Sequence, residues 1–271
     1  MTAHRLISRR LLLKDMGKTG LAVMVLGTAA CRAAPTQNAT PTDETEPTTT
    51  AASGPASTTE AMAVTSSTST TADRYAWHRV DLDFVSAYIM YRGGQAVIVD
   101  TGVDGSAPSI GSALEEVGLG WGDVAGLIVT HKHPDHQGSV QGVLANAPDA
   151  PWFAGAADLG AITAPTAGRA VGDEDIVNGD LQIIETPGHT EGHISVLDPV
   201  AGILVTGDAL NGAGGGVVGA NPGFSEDMTL ADASVAKLAG FDYEVALFGH
   251  GEPILSDASD RVAALAETMG G

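Results

Sequence analysis

Cysteine is almost missing from this chain: Cys31 is the single example in 271 residues. No intrachain disulfide can form, and a thiol nucleophile in the body of the chain is excluded, so stability must come from a packed core or from bound ions. Basic residues are scarce as well. Lysine and arginine total 13 against 33 aspartates and glutamates, for a formal net charge of −20. Six of the 13 basic residues fall at or before Arg32, which leaves seven against thirty-two acidic residues beyond it. Such a surface repels polyanions and argues against nucleic acid as a partner, although bound cations would offset part of the charge. Long apolar runs are missing too: the stretch Leu21–Leu26 is far short of the ~20 residues that span a bilayer. No internal repeat stands out.

What is present begins with a targeting segment. Ser8-Arg9-Arg10-Leu11-Leu12-Leu13-Lys14 resembles a twin-arginine export signal, with Leu12 where many such signals carry phenylalanine. The apolar run and the small residues up to Ala30 then read as the rest of a signal peptide over residues 1–31. The expectation is export to the periplasm or the cell surface. Cys31 is the candidate for a lipid anchor to the membrane; Thr28 stands where a lipobox usually has leucine, so cleavage after Ala30 without lipid is the alternative. Residues 32–74 are rich in threonine, serine and proline, as in Thr48-Thr49-Thr50, and carry no apolar periodicity. They read as a disordered tether. Residues 75–271 remain for one domain with a real core.

Within that domain, strand patterns lie at residues 79–84, 87–91 and 96–99, the last two joined by Gly93-Gly94, a hairpin signal. Further strands are predicted at 126–130, 181–185, 194–197, 203–205 and 245–248, and helices at 109–117, 137–145, 231–239 and 259–269. Hairpins followed by alternating helices and strands imply two sheets covered by helices.

The strand at 126–130 runs into His131-Lys132-His133-Pro134-Asp135-His136, three of the chain's eight histidines. An H-x-H pair in extended chain puts both imidazoles on one side. Pro134 keeps His133 out of the helical region and can open a helix, so Asp135 and His136 project from a new direction. Two ligand sets from one loop suit a two-metal centre. Three more strand ends carry His189 in Pro187-Gly188-His189-Thr190-Glu191-Gly192-His193, Asp208 in Thr206-Gly207-Asp208, and His250 in Gly249-His250-Gly251. Glycine beside each ligand permits close backbone approach. The loop Asn211–Gly216 next to Asp208 is mobile by composition and borders the expected pocket.

The order and spacing of these motifs resemble the metallo-β-lactamase superfamily, and most closely its glyoxalase II-like and lactonase-like hydrolases. The resemblance implies an α/β fold, the four-layer αββα sandwich, with metals at one edge between the sheets. It assigns His131, His133 and His189 to a first metal, Asp135, His136 and His250 to a second, and Asp208 as the bridge. Two divalent ions are implied, zinc first, with iron and manganese also compatible with nitrogen and oxygen ligands. A bridging hydroxide would attack an ester, thioester or lactone carbonyl of a small-molecule substrate, with Asp135 orienting the nucleophile and protonating the leaving group. His193 and Asp100 are expected to support the ligands through hydrogen bonds without binding metal. The competing readings are a mononuclear iron enzyme similar to persulfide dioxygenases, a β-lactamase, which Asp208 disfavours, and a non-catalytic envelope metal-binding module.

Overall fold

The structure, a computed structural model, describes residues 74–269. The predicted signal peptide, Cys31 and all but the last residue of the predicted tether lie outside the described residues. Thirteen strands are described: β1 Ala76–Leu82, β2 Val85–Arg92, β3 Gln95–Val99, β4 Val124–Val129, β5 Trp152–Gly155, β6 Arg169–Val171, β7 Ile176–Val177, β8 Leu181–Glu185, β9 Ile194–Asp198, β10 Ile203–Val205, β11 Leu210–Ala213, β12 Gly216–Gly219 and β13 Val245–Leu247. The helices are α1 Ala107–Glu116, α2 Pro134–Gln137, α3 Val140–Asn146, α4 Ala156–Leu159, α5 Met228–Leu238 and α6 Ala258–Met269.

One sheet has the order β1-β2-β3-β4-β5-β6 and a second β13-β10-β9-β8-β7. The Gly93-Gly94 turn closes β2 onto β3 with both residues at positive φ, as a two-residue hairpin requires. Along β2, side chains alternate between two cores with period two. Ala87 and Ile89 face α1 and α3 together with Ile110, Leu114 and Val143. Tyr88 and Met90 face the other sheet through Ile183, Val196 and Leu247. A third core joins the far side of that sheet, at Ile184, Leu204 and Ala246, to Val235 of α5 and Val262 of α6. Helix, sheet, sheet, helix is therefore the layer order. The expected four-layer αββα sandwich is the observed fold.

Two local readings are corrected. The helix predicted over 137–145 is split into α2 and α3, because Gly138 runs against the Val103–Asp104 backbone where a Cβ would clash, and its N–H turns to the Gly102 carbonyl at 2.8 Å. The glycine-rich stretch 211–216 is not an irregular loop. Asn211 pairs with Val218 and Ala213 with Gly216 in a two-stranded hairpin, β11–β12, which borders the cavity described below.

Candidate metal centre

Four loops leave the ends of β4, β8, β10 and β13 and meet at one edge of the two sheets. The first three open with a buried threonine: Thr130, Thr186 and Thr206. Backbone bonds lace the loops together. The Ile194 N–H reaches the Thr130 carbonyl at 2.9 Å, Gly249 reaches Gly207 at 3.0 Å, and Thr101 reaches His136 at 2.7 Å. Gly249 has no substitute here, since a Cβ would collide with Asp208 Oδ1 and the His136 ring.

Hydrogen-bond partners fix which ring nitrogen each histidine turns inward. Thr130 Oγ1 donates to Asp100 Oδ2 at 2.8 Å and so accepts from His131 Nδ1–H at 3.0 Å. Ser225 Oγ donates to the Asn221 carbonyl at 2.7 Å and so accepts from His189 Nδ1–H at 3.1 Å. His136 Nδ1–H donates to Asp100 Oδ2 at 2.8 Å, and His250 Nδ1–H to the Phe84 carbonyl at 2.6 Å. With each Nδ1 anchored, Nε2 is the atom that faces the centre in all four rings. His133 turns the other way and presents Nδ1, 3.1 Å from His131 Nε2 and 2.9 Å from His189 Nε2. Asp208 lies across the middle. Its Oδ1 is 3.3 Å from His136 Nε2, while Oδ2 is 3.3 Å from His189 Nε2 and 3.2 Å from His250 Nε2. Asp135 Oδ2 stands 3.4 Å from His250 Nε2. All seven predicted ligands are thus gathered in one place.

This arrangement fits cations. His136 Nε2 and Asp208 Oδ1 are buried and 3.3 Å apart without forming an aligned hydrogen bond, a shortfall that ligation to an ion would remove. Around His133 three nitrogens crowd to about hydrogen-bond distance with few protons to share. Three overlapping trios, His131–His133–His189, His131–His136–Asp208 and Asp135–His136–His250, each keep their donor atoms within 4.8 Å of one another. Imidazole and carboxylate donors in that number suit zinc, iron or manganese.

The trios differ in charge. Burial holds His131 well below the ordinary histidine range, and burial likewise brings His189 down to about 4. Burial also opposes charge on His136, but Asp208 and Asp100 outweigh it and hold this ring well above the ordinary value. Hydrogen bonds that His250 donates to Asp135 and then to Asp208 raise it to about 10. Asp135 in turn is lowered, first by its bond to His250. Burial works against the Asp208 carboxylate, yet His136 and the other surrounding rings hold it well below the carboxylate range.

His193 is not turned toward the inner donors. Its Nε2 accepts from the Asp208 backbone N–H at 3.0 Å and its Nδ1 lies 2.8 Å from Thr186 Oγ1. Asp100 behaves similarly, serving Thr130 and His136 from a backbone held at φ 64°. Sequence reasoning missed Asp158. This fully buried carboxylate accepts from the Lys132 N–H at 3.0 Å, Thr190 Oγ1 at 2.5 Å and the Gly192 N–H at 3.1 Å, so it ties the two histidine loops together. Ser225 was missed as well. Neither carries a sequence signal, although the threonine that recurs at the start of three of the four ligand loops could have marked the shared design. His78 pairs with Glu116 at 3.2 Å, away from the centre.

A cavity of about 980 Å³ opens over the donors, with Phe84, Val103, Val218, Phe224, Met228 and Met269 among its walls.

The family model described as "Metallo-beta-lactamase superfamily" matches residues 80–250. The chain is 30% identical over 167 residues to a hydroxyacylglutathione hydrolase of Dechloromonas aromatica, covering 59% of this chain and 58% of that protein. It is 28% identical over 187 residues to the thioesterase pkgB of Emericella nidulans, covering 65% of this chain and 48% of that protein. The chain spans about half the length of these curated relatives. Among solved structures, a metallo-beta-lactamase family protein from Thermus thermophilus superposes with a TM-score of 0.58 at 22% identity, over 72% of this chain and 79% of that one. Another, solved in a di-iron-bound form, superposes with a TM-score of 0.54 at 25% identity, over 66% of this chain and 93% of that one. The chain belongs to the metallo-β-lactamase superfamily.

Proposed function

We propose that this member of the metallo-β-lactamase superfamily is a dinuclear metal-dependent hydrolase of ester, thioester or lactone carbonyls. The observation that carries the reading is the inward set of nitrogens with their outer sides already bonded, and Asp208 laid between both groups. His131, His133 and His189 would hold one ion and Asp135, His136 and His250 the other, with Asp208 available to both. Two divalent ions there supply an acidified water and a polarised carbonyl. The chain's own groups do the rest. Asp135 lies in the cavity wall and its carboxylate is held ionised by His250. It accepts the proton of the attacking water and returns it to the alkoxide or thiolate as the carbon–oxygen or carbon–sulfur bond breaks. The hydrolase and thioesterase named among the relatives support a carbonyl substrate. The complete Asp135–His136–His250 trio favours two ions over the mononuclear dioxygenase reading.

Elemental analysis and turnover test this together. The purified chain should take up two equivalents of zinc, iron or manganese and hydrolyse simple esters or thioesters only when loaded; one tight ion with no gain on adding metal would count against it. We further propose export through the Arg9-Arg10 signal, with Cys31 as the lipid acceptor. Replacing both arginines with lysine should leave precursor in the cytoplasm, and mass spectrometry of the mature N-terminus reads the anchor.

A further inference from the structure

The cavity over the donors is built from two kinds of material and lacks a third. Its floor is the metal-ligand set: His133, Asp135, His189, Asp208 and His250. Its walls are aliphatic and aromatic, with the two amides Asn211 and Asn221 as neutral polar groups. Among the described residues, no lysine or arginine lines it.

The basic side chains of the described residues lie elsewhere. Arg74, the first of them, is exposed and outside the cavity wall. Arg79 pairs with Glu252 at 3.0 Å and Arg92 with Asp180. Lys132 lies 2.8 Å from Glu226 and 3.3 Å from Asp158. Lys237 lies 2.6 Å from Asp173. Arg169 lies over the Phe153 ring at 5.8 Å, and Arg261 reaches the Gly215 carbonyl at 3.4 Å. Among the described residues, no lysine or arginine of the cavity wall would meet an anionic tail entering it, and the chain as a whole is strongly acidic.

The apolar walls, by contrast, are fixed to the centre. The carbonyl of Phe84 accepts from His250, and the Phe84 ring stacks on that imidazole with centroids 6.2 Å apart and 11° between planes. Phe224 precedes Ser225, the residue that accepts from His189. Both rings nevertheless stay open to solvent, Phe84 at 57% and Phe224 at 69%. Two large exposed aromatics in the wall of one cavity are groups waiting for an apolar partner.

We infer that the substrate is an uncharged ester, thioester or lactone whose acyl or leaving group carries an apolar chain lying against Phe84 and Phe224, and not an anionic thioester of the acyl-glutathione kind. This rests on the hydrolase reading above. The test uses the full metal-loaded chain and matched p-nitrophenyl esters. Along acetate, butyrate and hexanoate, kcat/KM should rise by up to about fourfold per buried methylene. The mono-p-nitrophenyl ester of adipic acid, in which a carboxylate replaces the terminal methyl of the hexanoate, should fall at least ~10-fold below it. Phe224→Ala should flatten the chain-length slope, and Phe224→Lys should shift the adipate-to-hexanoate ratio by about tenfold toward the anion. A flat slope in the parent enzyme, or adipate equal to or better than hexanoate, overturns the inference while leaving the hydrolase standing. If none of these esters, nor the matching thioesters, turns over, the hydrolase proposal fails, and calorimetry then reads the cavity alone. Methyl octyl ketone should bind more tightly than the same ketone carrying a terminal carboxylate, and the reverse order overturns the inference.

Discussion

The two proposed ligand groups would share Asp208 but are made of opposite electrostatic material. His131 and His189 are buried, neutral, and bonded outward to the hydroxyls of Thr130 and Ser225. His136 and His250 are bonded outward to the Asp100 carboxylate and the Phe84 carbonyl, and inward they face Asp135 and Asp208, which keep them protonated. In the first group a cation meets lone pairs ready to bind. In the second it must displace protons that already neutralise the carboxylates. On the two-ion proposal, the difference means that one site would be prepared by burial and the other by charge, so the two should load and titrate differently.

The strongest way to break the comparison is to remove what the two sides share. Asp208→Ala should weaken both sites together and lower kcat/KM by about a thousandfold or more, some ~4 kcal/mol of transition-state stabilisation. Elemental analysis with ester turnover reads both. A variant that keeps two ions and normal turnover would falsify the bridging role.

Next comes loading against pH. Displacing at least one proton from His136 or His250 costs about tenfold in affinity per pH unit. The second ion should therefore gain at least about a hundredfold in affinity from pH 6 to pH 8, whereas the first should gain less, since burial holds His131 well below the histidine range and His189 at about 4. Calorimetric titration with zinc at both pH values decides this. Parallel slopes for both ions would erase the distinction.

Much of this centre was legible because ligands sit where an apolar run ends, and residues such as His131, Asp208 and His250 follow β4, β10 and β13 within one or a few positions. Layer order was legible for a different reason: hairpins followed by alternating helices and strands imply two sheets covered by helices. Strands β6 and β7, three and two residues long, fall below any periodic signal. The β11–β12 hairpin hides among glycines whose turn chemistry resembles a loop. Asp158 and Ser225 escape for a different reason: each acts through a contact more than thirty residues away in sequence, Asp158 to Thr190 and Ser225 to His189. Spacing along the chain cannot report such contacts.

The apo protein offers a third, smaller readout. His189 and His193, at about 4 and about 3, are held below their unfolded value near 6.5. Their unfolded forms bind more protons, so their stability is present above pH 6.5 and is lost as pH falls toward 4. His250, raised to about 10, runs the other way: its stability is present below pH 6.5 and lost as pH rises through 10. Chelator-treated protein should melt on the order of 5 °C lower at pH 5 than at pH 7. Replacing His250 with Gln should blunt the alkaline decline and leave the acid one in place. An acid limb that vanishes in this variant instead would reverse the assignment of charge between the groups.

The smallest expected effect sharpens the comparison most, because it comes from a residue that belongs to neither group. His193 takes the Asp208 N–H on Nε2 and contacts Thr186 on Nδ1, so both nitrogens are occupied by groups other than a metal. Its hydrogen bonds reach the centre only through the backbone from which the shared carboxylate projects, while its ring packs beside that of His131 with centroids 5.0 Å apart. His193→Gln keeps an acceptor near that N–H but loses the fixed ring, and the carboxylate should drift by a fraction of an ångström. A drift of Asp208 taxes both sites equally, so affinity for each ion should fall by about tenfold, as is typical when a ligand's hydrogen-bonding support is lost. Ser225→Ala is the control, since it frees only His189 and should weaken the first ion by a similar factor while sparing the second. If His193→Gln lost one ion entirely and kept the other at full strength, His193 would be a ligand, and the division of the centre into two groups around one carboxylate would have to be redrawn.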